Sequence, residues 1–132
     1  MLVFFGDHQP QLSQSYNDYW YSGEPQNEHA RRVFRTKYAI WANYDVDGRE
    51  PNSEDDETSV DMLAAKALDL IGAPVSDFQA AQLDVSRLIP SLSATDYMGD
   101  DRKWYEPGTN EKYDPAYNDL AQIEYYNFAT KV

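Results

Sequence analysis

The sequence has no cysteine, which excludes disulfides, thiolate metal sites and cysteine nucleophiles together. Basic residues are scarce: 11 Lys and Arg stand against 23 Asp and Glu, for a net charge of −12. A nucleic-acid partner needs a basic footprint and docking on anionic lipid needs a polybasic patch, so the acidity argues against both. There are only six glycines, and neither a P-loop nor a Gly-rich phosphate cradle occurs. No apolar run approaches the roughly 18 residues of a membrane-spanning helix. No basic segment leads into an apolar stretch of the signal-peptide kind. Histidine is limited to His8 and His29. Ser/His/Asp catalysis needs a serine on a sharp, Gly-flanked elbow, and neither Ser13 nor Ser15 has that setting.

What remains is a globular composition, 42% hydrophobic and 14% aromatic, in a chain long enough for one domain or a large part of one. Met1-Leu2-Val3-Phe4-Phe5 is a continuous apolar run ended by Gly6-Asp7. It fits a strand covered on both faces, as in α/β sheets. A chain that opens inside a core strand is expected of a fragment. Residues 9–27 are rich in Gln, Ser, Asn, Tyr and Pro without helical period and read as a long loop. Glu28 to Arg35 reads as a short helix with Ala30, Val33 and Phe34 on one side. Tyr38 to Tyr44 is a second strand by its length and its aromatic and β-branched content.

The clearest helix follows. Thr58 or Ser59 can cap it, Asp61 suits its positive end, and Val60, Leu63, Ala64, Ala67, Leu68 and Ile71 form one apolar face. Gly72 and Pro74 stop it. Ser76-Asp77-Phe78-Gln79 has the capping-box spacing and opens another helix, with Phe78, Ala81, Val85 and Leu88 as its buried stripe and Pro90 at its end. Ser91 to Pro115 reads as loop. Tyr117 to Phe128 reads as a closing helix, with Leu120, Ile123, Tyr126 and Asn127 at roughly helical spacing. The class is therefore α/β, although two strands alone do not make an ordinary doubly wound sheet.

Two groups of residues invite chemistry. Asp7 and His8 follow directly on the first strand, and in open α/β sheets functional groups gather beyond the carboxyl ends of strands. Both can ligate zinc or manganese, but such ions take about four to six donors, and a plain strand-end turn is the competing reading. The second group is Asn43, Asp45, Asp47, Gly48 and Glu54, at EF-hand loop positions one, three, five, six and twelve. Position one is Asn, position eight is Glu50, Pro51 follows, and the preceding segment reads as a strand. Residues 45–57 hold seven acidic residues and read as a solvated acidic turn, with a looser cation site as the alternative. His29 reads as a surface residue. The 11 tyrosines suit half-buried core edges or a wet groove.

The run Phe4-Phe5-Gly6-Asp7-His8-Gln9-Pro10 resembles the strand and GDHQP segment of the lipoteichoic acid synthase-like sulfatases, phosphoglycerol transferase relatives in the alkaline phosphatase superfamily. The likeness continues in order. Ile40-Trp41-Ala42-Asn43-Tyr44-Asp45 is similar to that family's IWANYD strand. Thr58-Ser59 before Asp61-Met62-Leu63 resembles its helix start. Gly72-Ala73-Pro74 with Phe78-Gln79 resembles its helix junction. Leu120 to Asn127 resembles its closing helix.

The resemblance implies the C-terminal part of an alkaline phosphatase/sulfatase-like, mostly parallel sheet with flanking helices. The catalytic part is expected over residues 1–95, with a C-terminal extension and closing helix over 96–132. It implies Asp7 and His8 as two ligands of a divalent metal, manganese, in an incomplete site. The family's glutamate ligand, threonine nucleophile and membrane-spanning helices all lie upstream of this pair. Thr36, Thr58, Thr95, Thr109 and Thr130 have no positional claim to the nucleophile's role. The implied parent is a membrane-anchored, extracytoplasmic transferase or sulfatase acting on phospholipid phosphodiesters or sulfate esters in cell-envelope polymer synthesis. This chain, soluble and inactive alone, would partner the rest of that catalytic domain and self-associate through an exposed strand edge. The alternative is a non-enzymatic acidic module binding a cation, a carbohydrate or a protein.

Overall fold

The computed structural model describes residues 1–10, 12–46 and 56–129, and the chain divides into two compact units, Met1–Tyr44 and Asp45–Val132. Its class is mixed α/β.

In the first unit, β1 (Leu2–Phe5) pairs with β2 (Tyr38–Trp41), and between them lie α1 (Gln14–Trp20) and α2 (Gln26–Phe34). The pairing is antiparallel, with Leu2 opposite Trp41 and Phe5 opposite Tyr38. This differs from a strand covered on both faces. Leu2 is 60% and Phe4 68% exposed, because they share one face with Ala39 and Trp41, which are also exposed, while Val3 and Ile40 on the other face are half-buried. Helix α1 lies where the polar composition predicted only loop. Its Tyr16 and Trp20 are one turn apart with ring centroids 6.3 Å apart, and both stay exposed, so no apolar period marks it. Helix α2 matches its expected place. Pro25 stands at its N-cap, Glu28 in its first turn and Arg31 and Arg32 in its last, which complements the helix dipole.

The second unit begins with α3 (Val60–Leu70) and α4 (Asp77–Ser86), packed together. At their junction the Ala73 N–H donates to the Leu68 carbonyl and the Gly72 N–H to the Asp69 carbonyl, both at 3.0 Å. This wrap-around requires the left-handed backbone that Gly72 adopts at φ 65°. The capping box of α4 is complete: the Gln79 N–H donates to Ser76 Oγ at 3.3 Å and the Ser76 N–H to Gln79 Oε1 at 2.9 Å.

The expected cap of α3 is not made. Ser59 has the extended N-cap backbone, but its buried Oγ accepts from the Leu92 N–H instead, tying the next strand to this helix. The buried side of α3 is also rotated from the expected face. Met62, Leu63, Ala65 and Ala67 are buried while Val60 is exposed. On α4, Phe78, Ala81 and Val85 are half-buried, Leu88 is exposed and Gln82 is buried, its Nε2 donating to the Asp61 carbonyl at 3.2 Å.

Residues 91–105 form a small antiparallel sheet where loop was expected: β3 (Ser91–Leu92), β4 (Tyr97–Met98) and β5 (Trp104–Tyr105), in that order. Two-residue strands are too short to show a period of two. The β3–β4 turn contains residue 95 and is closed by Ser93, whose Oγ donates to the buried Asp96 carboxylate. Helix α5 (Asp114–Ala129) starts three residues before its expected start at Tyr117, with Pro115 in the first turn, where its missing N–H costs nothing. Leu120 is its buried residue and Tyr126 is exposed. Both described sheets are antiparallel, and no described helix is long and apolar enough to cross a membrane.

Ile89, Tyr97 and Tyr113 form the inner core, with Val85, Leu92, Tyr105, Ala116 and Tyr117 packed on it. The Tyr97 ring stacks on Tyr117 at 5.1 Å and meets Tyr113 edge-on at 6.3 Å. Three of these tyrosine hydroxyls find a carboxylate. Tyr97 donates to Asp114 at 2.6 Å, Tyr113 to Asp100 at 2.5 Å and Tyr105 to Asp101 at 2.6 Å. Asp114 also accepts from the N–H groups of Gly108 and Asn110, each at 3.0 Å.

These bonds favour the ionised carboxylates. Asp114 is held below its usual range chiefly by the Tyr97 hydroxyl, Asp101 by the Tyr105 hydroxyl, and Asp100 by Lys112 and then Tyr113. The reverse effect pushes Tyr105 up to about 12 through its bond to Asp101. Glu124 is pushed up instead, by burial first and by Asp61 second.

A carboxylate lowered by folding stabilises the fold above its unfolded pKa, and that stability is lost as the pH falls through the folded value. The contribution of the three aspartates is therefore fully present above pH 3.8, the ordinary Asp value, and is lost progressively below it, whereas Glu124 acts in the opposite sense, its contribution complete only once the pH has fallen below its ordinary value of 4.5. Asp114→Asn should flatten this acid limb, read by near-UV circular dichroism against pH. Ser76→Ala should cost about 1 kcal/mol in urea denaturation, since it leaves first-turn donors of α4 without their cap.

Candidate functional site

The turn after β1 is built by what surrounds it. The Gly6 N–H donates to the Lys37 carbonyl at 3.1 Å, and Thr36 Oγ1 donates to the Gly6 carbonyl at 2.8 Å. A Cβ at position 6 would meet Thr36 Cβ at 3.1 Å, so glycine permits this close approach. Beyond the turn, the Gln9 N–H donates to the Val33 carbonyl at 3.0 Å and Gln9 Nε2 to the Arg35 carbonyl at 2.6 Å. Residues 6 and 9 are thus both fastened to the corner between α2 and β2, and the two residues between them are presented outward. Gln9 and Thr36 are positioning residues that the sequence reading did not single out. Their partners are backbone atoms 26 and 30 positions away, which no local pattern announces.

Asp7 and His8 occupy the presented positions, with side chains 84% and 47% exposed. The Asp7 carboxylate accepts the His8 N–H through Oδ1 at 2.9 Å. His8 Nδ1 lies 2.7 Å from the Gln9 carbonyl oxygen. A carbonyl only accepts, so the proton is assigned to Nδ1, and in the neutral ring Nε2 keeps its lone pair. That Nε2 stands 3.5 Å from Asp7 Oδ2. An ion at the usual ~2.0–2.2 Å from each donor would subtend an angle of about 115°, near tetrahedral. The 3.5 Å separation lets both donors reach one divalent ion, and the imidazole is held by its other nitrogen. Among the described residues no group of three or more His, Asp and Glu is placed to hold a metal.

The other histidine belongs to a different arrangement. Arg32 grips Glu24 with two nitrogens, Nε at 2.9 Å and Nη2 at 2.8 Å, and lies 3.6 Å over the Tyr21 ring. His29 Nδ1 stands 3.3 Å from the same carboxylate and 3.1 Å from Arg32 Nη2, so His29 is half-exposed and joined to this cluster, where the sequence suggested a plain surface residue. The Arg32 fork holds Glu24 below its usual range and engages both its oxygens. Ser13 and Ser15 bond each other at 3.1 Å. Of the EF-hand-like series, Asp47, Gly48 and Glu54 lie outside the described residues.

In comparisons with known proteins, the chain matches no family model, no curated protein and no solved structure.

Beside the turn, the face made by Leu2, Phe4, Ala39 and Trp41 is apolar and exposed. The expected self-association would use such a face. Sedimentation velocity should show a coefficient that rises with concentration and becomes constant in Phe4→Lys. A monomer at every concentration would remove that expectation.

Proposed function

We propose that this chain is the C-terminal part of the catalytic domain of a sulfatase-like phosphoglycerol transferase or sulfatase, and that Asp7 and His8 are two of its metal ligands. The observation that carries the reading is the chelating pair itself, Asp7 Oδ2 and His8 Nε2 3.5 Å apart on a turn fastened at both ends. A bound manganese or similar ion would supply Lewis-acid polarisation of a phosphoryl or sulfuryl oxygen.

This chain's own residues would hold the ion on one side. Asp7 contributes negative charge, and the Gln9 carbonyl keeps the proton on His8 Nδ1 so that Nε2 faces the ion. Thr36 is spent on the Gly6 carbonyl and is not a nucleophile. The remaining ligands and the nucleophile would come from the rest of the catalytic domain, in an extracytoplasmic, membrane-anchored parent. The ordered motif series supports the family assignment, and the alkaline phosphatase-like sheet belongs to the same proposal.

Manganese titration followed by electron paramagnetic resonance tests the pair. The chain should bind one ion weakly, with affinity reduced roughly ten-fold or more in Asp7→Ala and in His8→Ala, and without turnover of a chromogenic phosphodiester. Binding indifferent to both substitutions would overturn the ligand assignment. Turnover that disappears in Asp7→Ala would instead show a complete centre and overturn the partial-domain reading.

A further inference from the structure

The second unit contains a polar cleft of about 250 Å³ that the metal-site reading does not use. Its walls come from four separate stretches: Asp56 and Thr58 before α3, Lys66 on α3, Ser86, Arg87 and Pro90 at the end of α4, and Asp100 and Arg102 between β4 and β5. We propose that this cleft binds a single tetrahedral oxyanion, a phosphate or sulfate group, with Arg102, Lys66 and Arg87 as its cationic contacts.

The charge distribution points to it. The chain has only 11 Lys and Arg at a net charge of −12, yet three of them meet here. The two carboxylates on the wall do not cancel them. Asp100 is already held from outside the lining by Lys112 at 2.7 Å and by the Tyr113 hydroxyl. Asp56 is bound to Lys66 at 2.6 Å, which leaves the other two protons of the ammonium for an anion. Arg87 pairs with Asp84 at 3.1 Å, one helix turn away on open surface, a contact of little strength that leaves the guanidinium free to turn inward.

Arg102 is the decisive residue. Its backbone sits at φ 64°, where glycine is the easier choice. Its side chain makes no hydrogen bond or ion pair among the described residues. A guanidinium fork at a cleft wall, with no partner among the described residues, matches the edge of a phosphate or sulfate. Thr58 adds a hydroxyl donor.

The size limits the occupant. The cleft is smaller than the ~300–1,000 Å³ of sites for drug-sized ligands. It therefore suits one oxyanion, free or at the head of a small ester, and not a polyanion, which the overall charge repels.

The test is titration of the isotope-labelled chain with inorganic phosphate, observed by amide NMR at constant ionic strength. Saturable shifts confined to the amides around Thr58, Arg87 and Arg102 are expected. Arg102→Gly should keep or raise the thermal midpoint, because glycine suits that backbone, while weakening phosphate roughly ten-fold. Lys66→Gln should weaken it as well, and Lys37→Gln in the first unit should not. Sulfate and glycerol 2-phosphate form parallel arms. Equal affinities assign a free ion, and tighter binding of the ester assigns an organic phosphate. Shifts that never saturate at tens of millimolar phosphate, or affinity unchanged in both Arg102→Gly and Lys66→Gln, would overturn the proposal.

Discussion

A tyrosine hydroxyl buried in a core has to find an acceptor or forfeit its hydrogen bond, and the second unit is arranged around that requirement. Tyr97 has no exposed surface, and Asp114 receives its hydroxyl proton. The same carboxylate gathers the N–H groups of Gly108 and Asn110, which shapes the chain's approach to α5. Once Asp114 is placed, α5 starts there and carries Ala116 and Tyr117 onto the core and Leu120 into the interior. Asp100 and Asp101 serve Tyr113 and Tyr105 from the turn between β4 and β5. Part of the chain's acidity is thus a set of acceptors for a tyrosine-rich core.

The elements legible in the sequence are those whose signal is local. Ser76 and Gln79 meet across three residues, and Gly72 ends its helix within two hydrogen bonds, so both were readable in advance. The elements that escaped are set by distant partners or by brevity. Ser59 has the residue type and backbone of a cap, yet Leu92, 33 positions away, takes its oxygen. Strands β3 to β5 are two residues each. Helix α1 exposes its aromatic residues, so it lacks the apolar stripe that periodicity detects.

The same division runs through the candidate site. Asp7 and His8 were visible as adjacent ligand types after a strand, and the structure sets Nε2 and Oδ2 at a distance that one ion can bridge. What fastens them, Thr36 and Gln9 against backbone from the other strand's approach, was not visible. Lys66, Arg87 and Arg102 come from three elements with no motif between them, and only folding brings them to one cleft.

The fastening of Gly6 to Thr36 joins positions 30 apart, with α1 and α2 in the intervening chain. The entropy of closing that loop is spent before the β1–β2 ladder and the turn's anchors return anything, whereas α3, α4 and the β3–β5 hairpins close over short separations. The geometry of the Asp7–His8 turn accordingly depends on the β1–β2 pairing. Until the two strands meet, nothing fastens the turn at either end.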